Sequence, residues 1–331
     1  MRKTIRLRGG AVMPAVGLGT WKSAPGQVGA AVREALRCGY RHIDCAAIYG
    51  NEVEIGEALA ACFAEGLVAR EELWITSKLW NDHHARRDVV PALRRTLADL
   101  RLEALDLYLV HWPVALRKGV LVPESPEDMI GLETLPIAET WAGMEEALDL
   151  GLSRHIGVSN FSATKLAELS VSAHVLPALD QVELHPYLQQ QELLRFCSER
   201  GIAVTGYSPL GSPDRPASLK SADEPPLLEA PEIEEIARQS GATAAQVLLA
   251  WGLARGTAVI PKSVHPEHLQ QNLAAADLAL SPADMQRIAA LDRGYRYVTG
   301  SFWVLEGGPY TLANLWDSAG ENEGQTVRSP P

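Results

Sequence analysis

The sequence predicts an α/β protein, a (β/α)8 barrel, and three observations carry the prediction. From about residue 15 to 290, short β-rich runs alternate with amphipathic helical stretches, and eight strand candidates can be placed. Several runs are almost continuously apolar, as in LDLYLVHW (105–112), ALDQVEL (178–184) and TAVIPKS (257–263). Strands buried on both faces of a parallel sheet read this way. The rival architecture, an open doubly wound sheet, needs a glycine-rich dinucleotide turn after an early strand. Gly17-Leu18-Gly19 is the only candidate, and Lys22 stands where the third glycine belongs.

In chain order, residues 3–13 alternate around Gly9-Gly10 and predict a β-hairpin. The strand candidates are Ala15–Gly19, Tyr40–Asp44, Leu73–Lys78, Leu105–His111, His155–Ser159, Ala178–Val182, Ala203–Ser208 and Ala258–Pro261. The helical periods fall at Gln27–Leu36, Glu52–Ala64, Asp88–Leu100, Pro136–Leu150, Ser162–Leu169, Gln190–Glu199 and Thr243–Ala254. Gly39, Gly151 and Gly201 follow helical stretches as C-terminal stop residues do. Ser162 and Ser281 stand at N-cap positions, the second followed by Pro282. Another helix is expected to start near Pro266. Residues 113–135 and 211–230 are long loops that follow strands, so both lie at the C-terminal mouth of the barrel. The whole chain, 1–331, reads as one domain: hairpin 3–13, barrel 15–290 and tail 292–331. The tail carries Tyr295, Tyr297, Phe302, Trp303, Tyr310 and Trp316, so it is expected to pack against something. Its last residues, ENEGQTVRSPP, read as disordered.

Composition narrows the function. The chain has 331 residues, 47% of them hydrophobic, which supports a large core. Its 30 basic and 41 acidic side chains leave a formal charge of −11, which argues against a general nucleic-acid or anionic-membrane binder. Cys38, Cys45, Cys62 and Cys197 form no C-x-x-C pair, so reduced thiols in a cytoplasmic protein are expected. The N-terminal MRKTIRLRGG has no apolar leader region, and no apolar run approaches a membrane span.

Barrel strands have little use for ionisable groups, yet most of these strands end in a polar residue. Asp44, Lys78, His111, Ser159-Asn160, Gln181, Tyr207 and Lys262 stand at or just past successive strand ends, and Tyr49 lies five residues beyond Asp44. One such residue alone is an ordinary cap; all of them converging on one mouth point to an enzyme pocket. Four suggest a chemistry. A phenol is a poor acid near neutrality, and a buried ammonium such as Lys78 would lower its pKa. Lys78 stays charged only beside a carboxylate such as Asp44. His111 can hold a carbonyl oxygen. The missing half of a reduction is a hydride, which side chains do not supply, so a nicotinamide or flavin is implied. Trp21, Trp80 and Trp112 flank these polar positions and are expected to wall the pocket. Ile48, Phe302 and Trp303 join them as substrate-pocket candidates. His83-His84 and His265…His268 lack an acidic or thiolate set at ligand spacing, so no metal is expected. Cys45 alternates away from Asp44 and reads as packing. Arg117 and Lys118, in the first mouth loop, are the cations available to an anionic substrate, with solvated loop charge as the plainer reading.

The motifs GLGTWKS (17–23), YRHIDCAAIYGNEVEIGEAL (40–59), ITSKLW (75–80), DLYLVHWP (106–113), IGVSNF (156–161), QVELHPY (181–187), YSPLGS (207–212) and IPKSV (260–264) resemble those of the aldo-keto reductases, chiefly the aldehyde and aldose reductase branch. The resemblance implies NADP(H)-dependent reduction of an aldehyde, aldose or ketone to an alcohol. Tyr49 would be the general acid, Asp44 and Lys78 would tune it, and His111 would orient the carbonyl. It further implies cofactor contacts at Gly19, Thr20, Trp21, Lys22, Asp44, Ser159, Asn160, Gln181 and Tyr207. Ser208, Pro209, Leu210, Gly211, Ser212, Asp214 and Lys262 would hold the pyrophosphate, and Ser263, Val264, His265, His268, Gln271 and Asn272 the adenosine end. The family commonly has arginine where His268 stands and glutamate where Gln271 stands. NADP(H) is the expected cofactor, with NAD(H) left open by His268. A non-catalytic NADP(H)-binding or regulatory subunit on the same scaffold is the alternative. The expected partner is a small carbonyl compound, with the chain a monomer and a dimer also compatible.

Overall fold

In the computed structural model, which describes residues 3–216, 219–221 and 223–318, eight strands run parallel in sequence order. They are Leu18–Gly19, His42–Asp44, Trp74–Leu79, Leu107–Val110, Ile156–Ser159, Leu179–Glu183, Ala203–Tyr207 and Ala258–Val259. Parallel bridges Val16↔Val259 and Gly19↔Lys262 join the first strand to the last and close the barrel. Closure depends on Gly19: a Cβ there would lie 2.7 Å from the Ile260 carbonyl oxygen.

The outer ring contains Val28–Cys38, Glu52–Ala64, Arg86–Leu100, Ile137–Asp149, Ala163–Ser172, Gln191–Arg200, Ala244–Ala254 and Pro266–Ala274. The expected cap glycines Gly39 and Gly201 hold left-handed backbone, and Ser162 and Ser281 accept the expected backbone N–H groups. Helix Pro231–Ser240 was not expected from the sequence. Its signals are present, with Pro231 in the first turn, Gly241 left-handed at the end and Ile233, Ile236 and Ala237 on the buried face. It directly follows the second mouth loop, and its acidic N-terminal half blends into that loop.

The hairpin pairs Thr4–Arg6 with Val12–Pro14, one residue beyond the expected limit, and Gly9 and Gly10 both take positive φ. Leu7 and Met13 pack against Trp74, Leu107, Leu179 and Ala258 at the N-terminal ends of the strands. The barrel is therefore plugged below and opens at its other end.

Both long loops are organised. The first contains a small antiparallel pair, Ala115–Leu116 with Met129–Ile130. The second is arranged around Arg215. Its guanidinium donates to the carbonyl oxygens of Gly211 (3.1 Å), Ser212 (3.2 Å) and Leu219 (3.3 Å), pairs with Glu224 and faces the Tyr297 ring.

The tail is pinned at three places. The buried carboxylate of Glu183 accepts the backbone N–H groups of Tyr297 (2.6 Å) and Val298 (2.9 Å). Tyr310 donates its hydroxyl hydrogen to Ile130 O (2.6 Å) and accepts from Ala115 N–H (2.8 Å). Lys165 Nζ donates to Asn314 O (2.6 Å) and Asp317 Oδ2 (2.7 Å). The tail aromatics divide their work. Tyr295 and Tyr297 pack beside helices Pro231–Ser240 and Ala244–Ala254, while Phe302, Trp303 and Trp316 surround Trp112. The stretch expected to be disordered, 321–331, lies outside the described residues.

Candidate active site

Tyr49 ends a one-turn 3-10 helix, Ala47–Tyr49, that rises directly from the Asp44 strand. Lys78 projects from the neighbouring strand. Its ammonium donates to Asp44 Oδ1 at 2.5 Å and Cys45 O at 2.8 Å, and lies 3.4 Å from the Tyr49 hydroxyl. Asp44 and Lys78 are each 1% exposed, so the pair is an interior one. The remaining Asp44 oxygen accepts from Gln181 Nε2 at 2.7 Å, which completes its hydrogen bonding. Asn160 donates to His111 O at 2.9 Å, and its own carbonyl accepts the Tyr207 hydroxyl at 2.7 Å. Ser159 donates to Gln181 O at 2.7 Å. The ends of six strands are thus tied together laterally.

The electrostatics differ in one respect from the sequence expectation. Burial raises the Tyr49 phenol above its ordinary range by more than Lys78 lowers it, so the phenol stays protonated. Sequence gives the ammonium but not the depth of burial, and depth decides the sign. For Lys78, burial alone would lower the pKa, but the Asp44 carboxylate more than offsets it and the amine is held charged. Burial, then Lys78 and then His84, drive His111 well below the usual imidazole range, so it is neutral. Its Nδ1 has no hydrogen-bond partner among the described residues.

These groups open into a cavity of about 630 Å³. Every expected substrate-wall residue lines it: Trp21, Ile48, Trp80, His111, Trp112, Phe302 and Trp303. The groove continues past Asn160 and Tyr207, under Ser208 and Asp214, to Lys262, His265 and His268. Gly19, Thr20, Ser159, Gln181, Pro209, Leu210, Ser212, Ser263 and Val264 line it as well. Four expected cofactor residues do not, and neither does the catalytic candidate Lys78, which lies beneath Tyr49. Lys22 and Gly211 are absent from the lining although their neighbours Trp21, Leu210 and Ser212 belong to it, Gln271 is exposed, and Asn272 is buried within helix Pro266–Ala274. Val122, Leu219, Leu228 and Val298 line the cavity and were not expected. They are apolar residues of loops and tail, which no spacing rule singles out. Arg117 and Lys118 stay outside it, and Lys118 pairs with Asp88.

The groove fits a long ligand that is anionic in its middle. Lys22 and Lys262 both face Asp214, with N···O distances of 3.9 and 3.1 Å. Lys22 Nζ is buried without a hydrogen-bond partner among the described residues, and its pKa is pushed down to about 8, mainly by burial. A diphosphate would satisfy it. Lys22, Asn160, Ser208 and Ser212 all hold left-handed backbone (φ 60°, 64°, 47° and 50°), an uncommon conformation for non-glycine residues and one found at ligand clamps. Among the described residues no group of three or more His, Cys, Asp or Glu gathers as metal ligands. His83 bonds Asp82 at 2.6 Å, and burial pushes His84 down to about 3. Cys45 is packed in the core. No helix among the described residues is long and apolar enough to cross a membrane.

A family model for the aldo/keto reductase family matches residues 15–293. The chain is 56% identical to the aldo/keto reductase slr0942 of Synechocystis over 95% of this chain and 96% of that protein. It is 49% identical to human aldo-keto reductase family 1 member A1 over 89% and 90%. Among solved structures, the aldose reductase of Schistosoma japonicum superposes with a TM-score of 0.83 at 38% identity, covering 91% of this chain and 95% of that one. An aldo-keto reductase of Bombyx mori in complex with NADP superposes at 0.82 and 36% identity, covering 93% and 98%. On the family match and on relatives near half identity across most of both chains, this protein belongs to the aldo/keto reductases, an NADP(H)-dependent oxidoreductase family.

Proposed function

We propose that the protein reduces aldehydes to alcohols with NADPH, and that Asp44, Tyr49, Lys78 and His111 are its catalytic residues. The observation that carries this reading is the buried Lys78–Asp44 pair beneath the protonated Tyr49 hydroxyl, with neutral His111 at the same cavity floor.

The nicotinamide would supply the hydride. The chain's own residues do the rest. His111, uncharged, offers a ring N–H to the carbonyl oxygen and turns it toward Tyr49. Tyr49 donates its proton to that oxygen as negative charge develops there. The Lys78 ammonium then faces the new phenolate, and Asp44 keeps that ammonium charged throughout. The aromatic wall excludes water and strengthens each of these interactions.

Thr20, Trp21, Ser159, Asn160, Gln181 and Tyr207 would seat the nicotinamide end. Lys22, Lys262 and the 208–214 strap would hold the diphosphate, and Ser263, Val264, His265 and His268 the adenosine. The bound NADP of the Bombyx mori structure supports NADP(H). His268 keeps NADH a measurable second cofactor, because an imidazole is a weaker phosphate partner than a guanidinium. Four free thiols support a reducing, cytoplasmic setting.

The test is NADPH oxidation with an aromatic aldehyde, run for the wild type and Tyr49→Phe. The variant should bind NADPH normally and lose about a thousandfold in kcat. Cofactor binding without turnover in the wild type would instead support the non-catalytic subunit.

A further inference from the structure

Asp44 and Lys78 lie within barrel strands and His111 directly follows one, but Tyr49 sits on a separate turn, Ala47–Tyr49. The last sheet bond before that turn is Cys45 N–H to Thr76 O at 2.8 Å. Among the described residues the turn itself makes only local backbone bonds, Tyr49 N–H to Ala46 O at 3.0 Å and Gly50 N–H to Ala47 O at 3.2 Å. Ala47 and Gly50 are exposed. Yet the Tyr49 hydroxyl has to stay beside the Lys78 ammonium, 3.4 Å away. Two side chains just past the turn hold it down. Asn51 donates to Thr20 O at 2.9 Å, which ties the turn to the end of the first strand. Glu52 reaches the other way. It opens helix Glu52–Ala64, is 4% exposed, and accepts the Ser77 hydroxyl at 2.5 Å and the Thr96 hydroxyl at 3.1 Å.

We propose that Glu52 is a positioning residue for the reduction, fixing the separation between the Tyr49 phenol and the Lys78 ammonium. The proposal rests on the carbonyl reduction argued above and adds a residue that stands outside the cavity. Ser77 directly precedes Lys78 on strand Trp74–Leu79, so the two side chains leave opposite faces of the sheet. Chain and hydrogen bonds then form a closed ring: from Tyr49 along the chain to Glu52, across to Ser77, on to Lys78, and back to the Tyr49 hydroxyl. Losing the Glu52–Ser77 bond opens that ring, and displacements of an ångström or less are enough to slow a proton transfer. The carboxyl is a costly choice of tether, since burial pushes its pKa up to about 7 against the pull of both hydroxyls. Satisfying the hydroxyls does not call for it, because a helical threonine such as Thr96 can bond a carbonyl one turn back. The Thr96 bond lies outside the ring. It runs to helix Arg86–Leu100, on which helix Glu52–Ala64 is already closely seated: a Cβ at Gly56 would overlap the Asp99 carbonyl.

The test removes one bond at a time. Ser77→Ala and Thr96→Val each take one hydroxyl from the same carboxyl, and only the first opens the ring. Ser77→Ala should lower kcat for an aromatic aldehyde about tenfold, with the aldehyde KM and the NADPH Kd within about twofold of wild type. Thr96→Val should keep kcat within about twofold, although both variants lose a buried hydrogen bond and melt lower. Equal kcat in the two variants would overturn the proposal. Glu52→Ala should lose about 30-fold in kcat, and Glu52→Gln, whose amide still meets both hydroxyls, should recover it to within about threefold of wild type. A glutamine variant as slow as the alanine variant would also overturn it. Crystal structures of Ser77→Ala and Thr96→Val read the geometry without turnover. The Tyr49–Lys78 separation should widen by about 0.5 Å or more in the first alone, and an unchanged separation there would overturn the proposal. A separation that widens as expected in a protein that reduces no aldehyde would sink the reductase reading and leave the positioning standing.

Discussion

Asp44, Lys78 and His111 stand on or just past barrel strands, and each is held by neighbouring strand ends through bonds of 2.5 to 3.2 Å. Phe302 and Trp303, which close the same cavity from above, belong to a tail with no sheet to rest on. They keep their place through Glu183, Tyr310 and Lys165, three side chains that each grip the tail or an adjoining loop from a distance. The lower region is rigid because every polar atom of its ion pair is spent locally. The upper region is rigid only as far as those long-range bonds persist. Chemistry that depends on tenths of an ångström therefore sits on the first, and the choice of substrate on the second.

The strongest way to break this contrast is to attack the lower region. Lys78→Met should cut kcat about a thousandfold and also lower the melting temperature, since it leaves the Asp44 carboxylate buried and uncompensated, at a cost of about 3–5 kcal/mol. Adding Asp44→Asn should recover much of the stability and none of the activity. Recovery of both would mean that the pair is structural. Glu183→Gln tests the upper region. It should raise KM for a bulky aromatic aldehyde about 30-fold, with kcat and NADPH affinity within about twofold of wild type, because charge-assisted bonds to the tail are lost while the floor is untouched. A fall in kcat alone would show the two regions to be coupled.

A third measurement sharpens the cofactor end. Lys22 is charged below about pH 8 in the free protein and neutral above it. Binding a diphosphate must restore the charge. NADPH affinity should therefore weaken about tenfold from pH 7 to pH 9, and Lys22→Met should flatten the profile. Fluorescence titration of NADPH across that range reads both. The smallest effect lies outside the cavity. Asp180 is fully buried, no side chain among the described residues pairs with its carboxylate, and burial raises its pKa well above the ordinary range against a smaller opposing effect of the Phe161 backbone N–H. Its neutral form is the stable one in the fold, so whatever it contributes is present at low pH and lost as pH rises above the unfolded-state pKa of about 4. Asp180→Asn should raise the melting temperature by about 2 °C at pH 8 and by less at pH 5.

The barrel was legible because its signals are local. Strand composition, cap glycines and the polar residue at each mouth can be read without knowing what packs on what. The floor of the site was legible for the same reason, as Asp44, Tyr49, Lys78 and His111 each stand at a position that topology alone aims at the mouth. Glu183 and Arg215 were not legible. Their roles depend on partners that the fold brings together, Tyr297 and Val298 for the first and a web of loop carbonyls for the second. The net direction of the Tyr49 shift was hidden too, because it balances an ammonium visible in the sequence against a burial that is not.

One hydroxyl group bears on how such an enzyme could be rebuilt. Tyr310 donates to one strand of the first mouth loop and accepts from the other, so the tail and that loop are joined through a single phenol. A chimera that imported a relative's tail alone would strand the Ala115 N–H and the Ile130 carbonyl, and one that imported the loop alone would strand the phenol. The two segments lie almost two hundred residues apart, yet they form one exchangeable module, to be inherited or transplanted together.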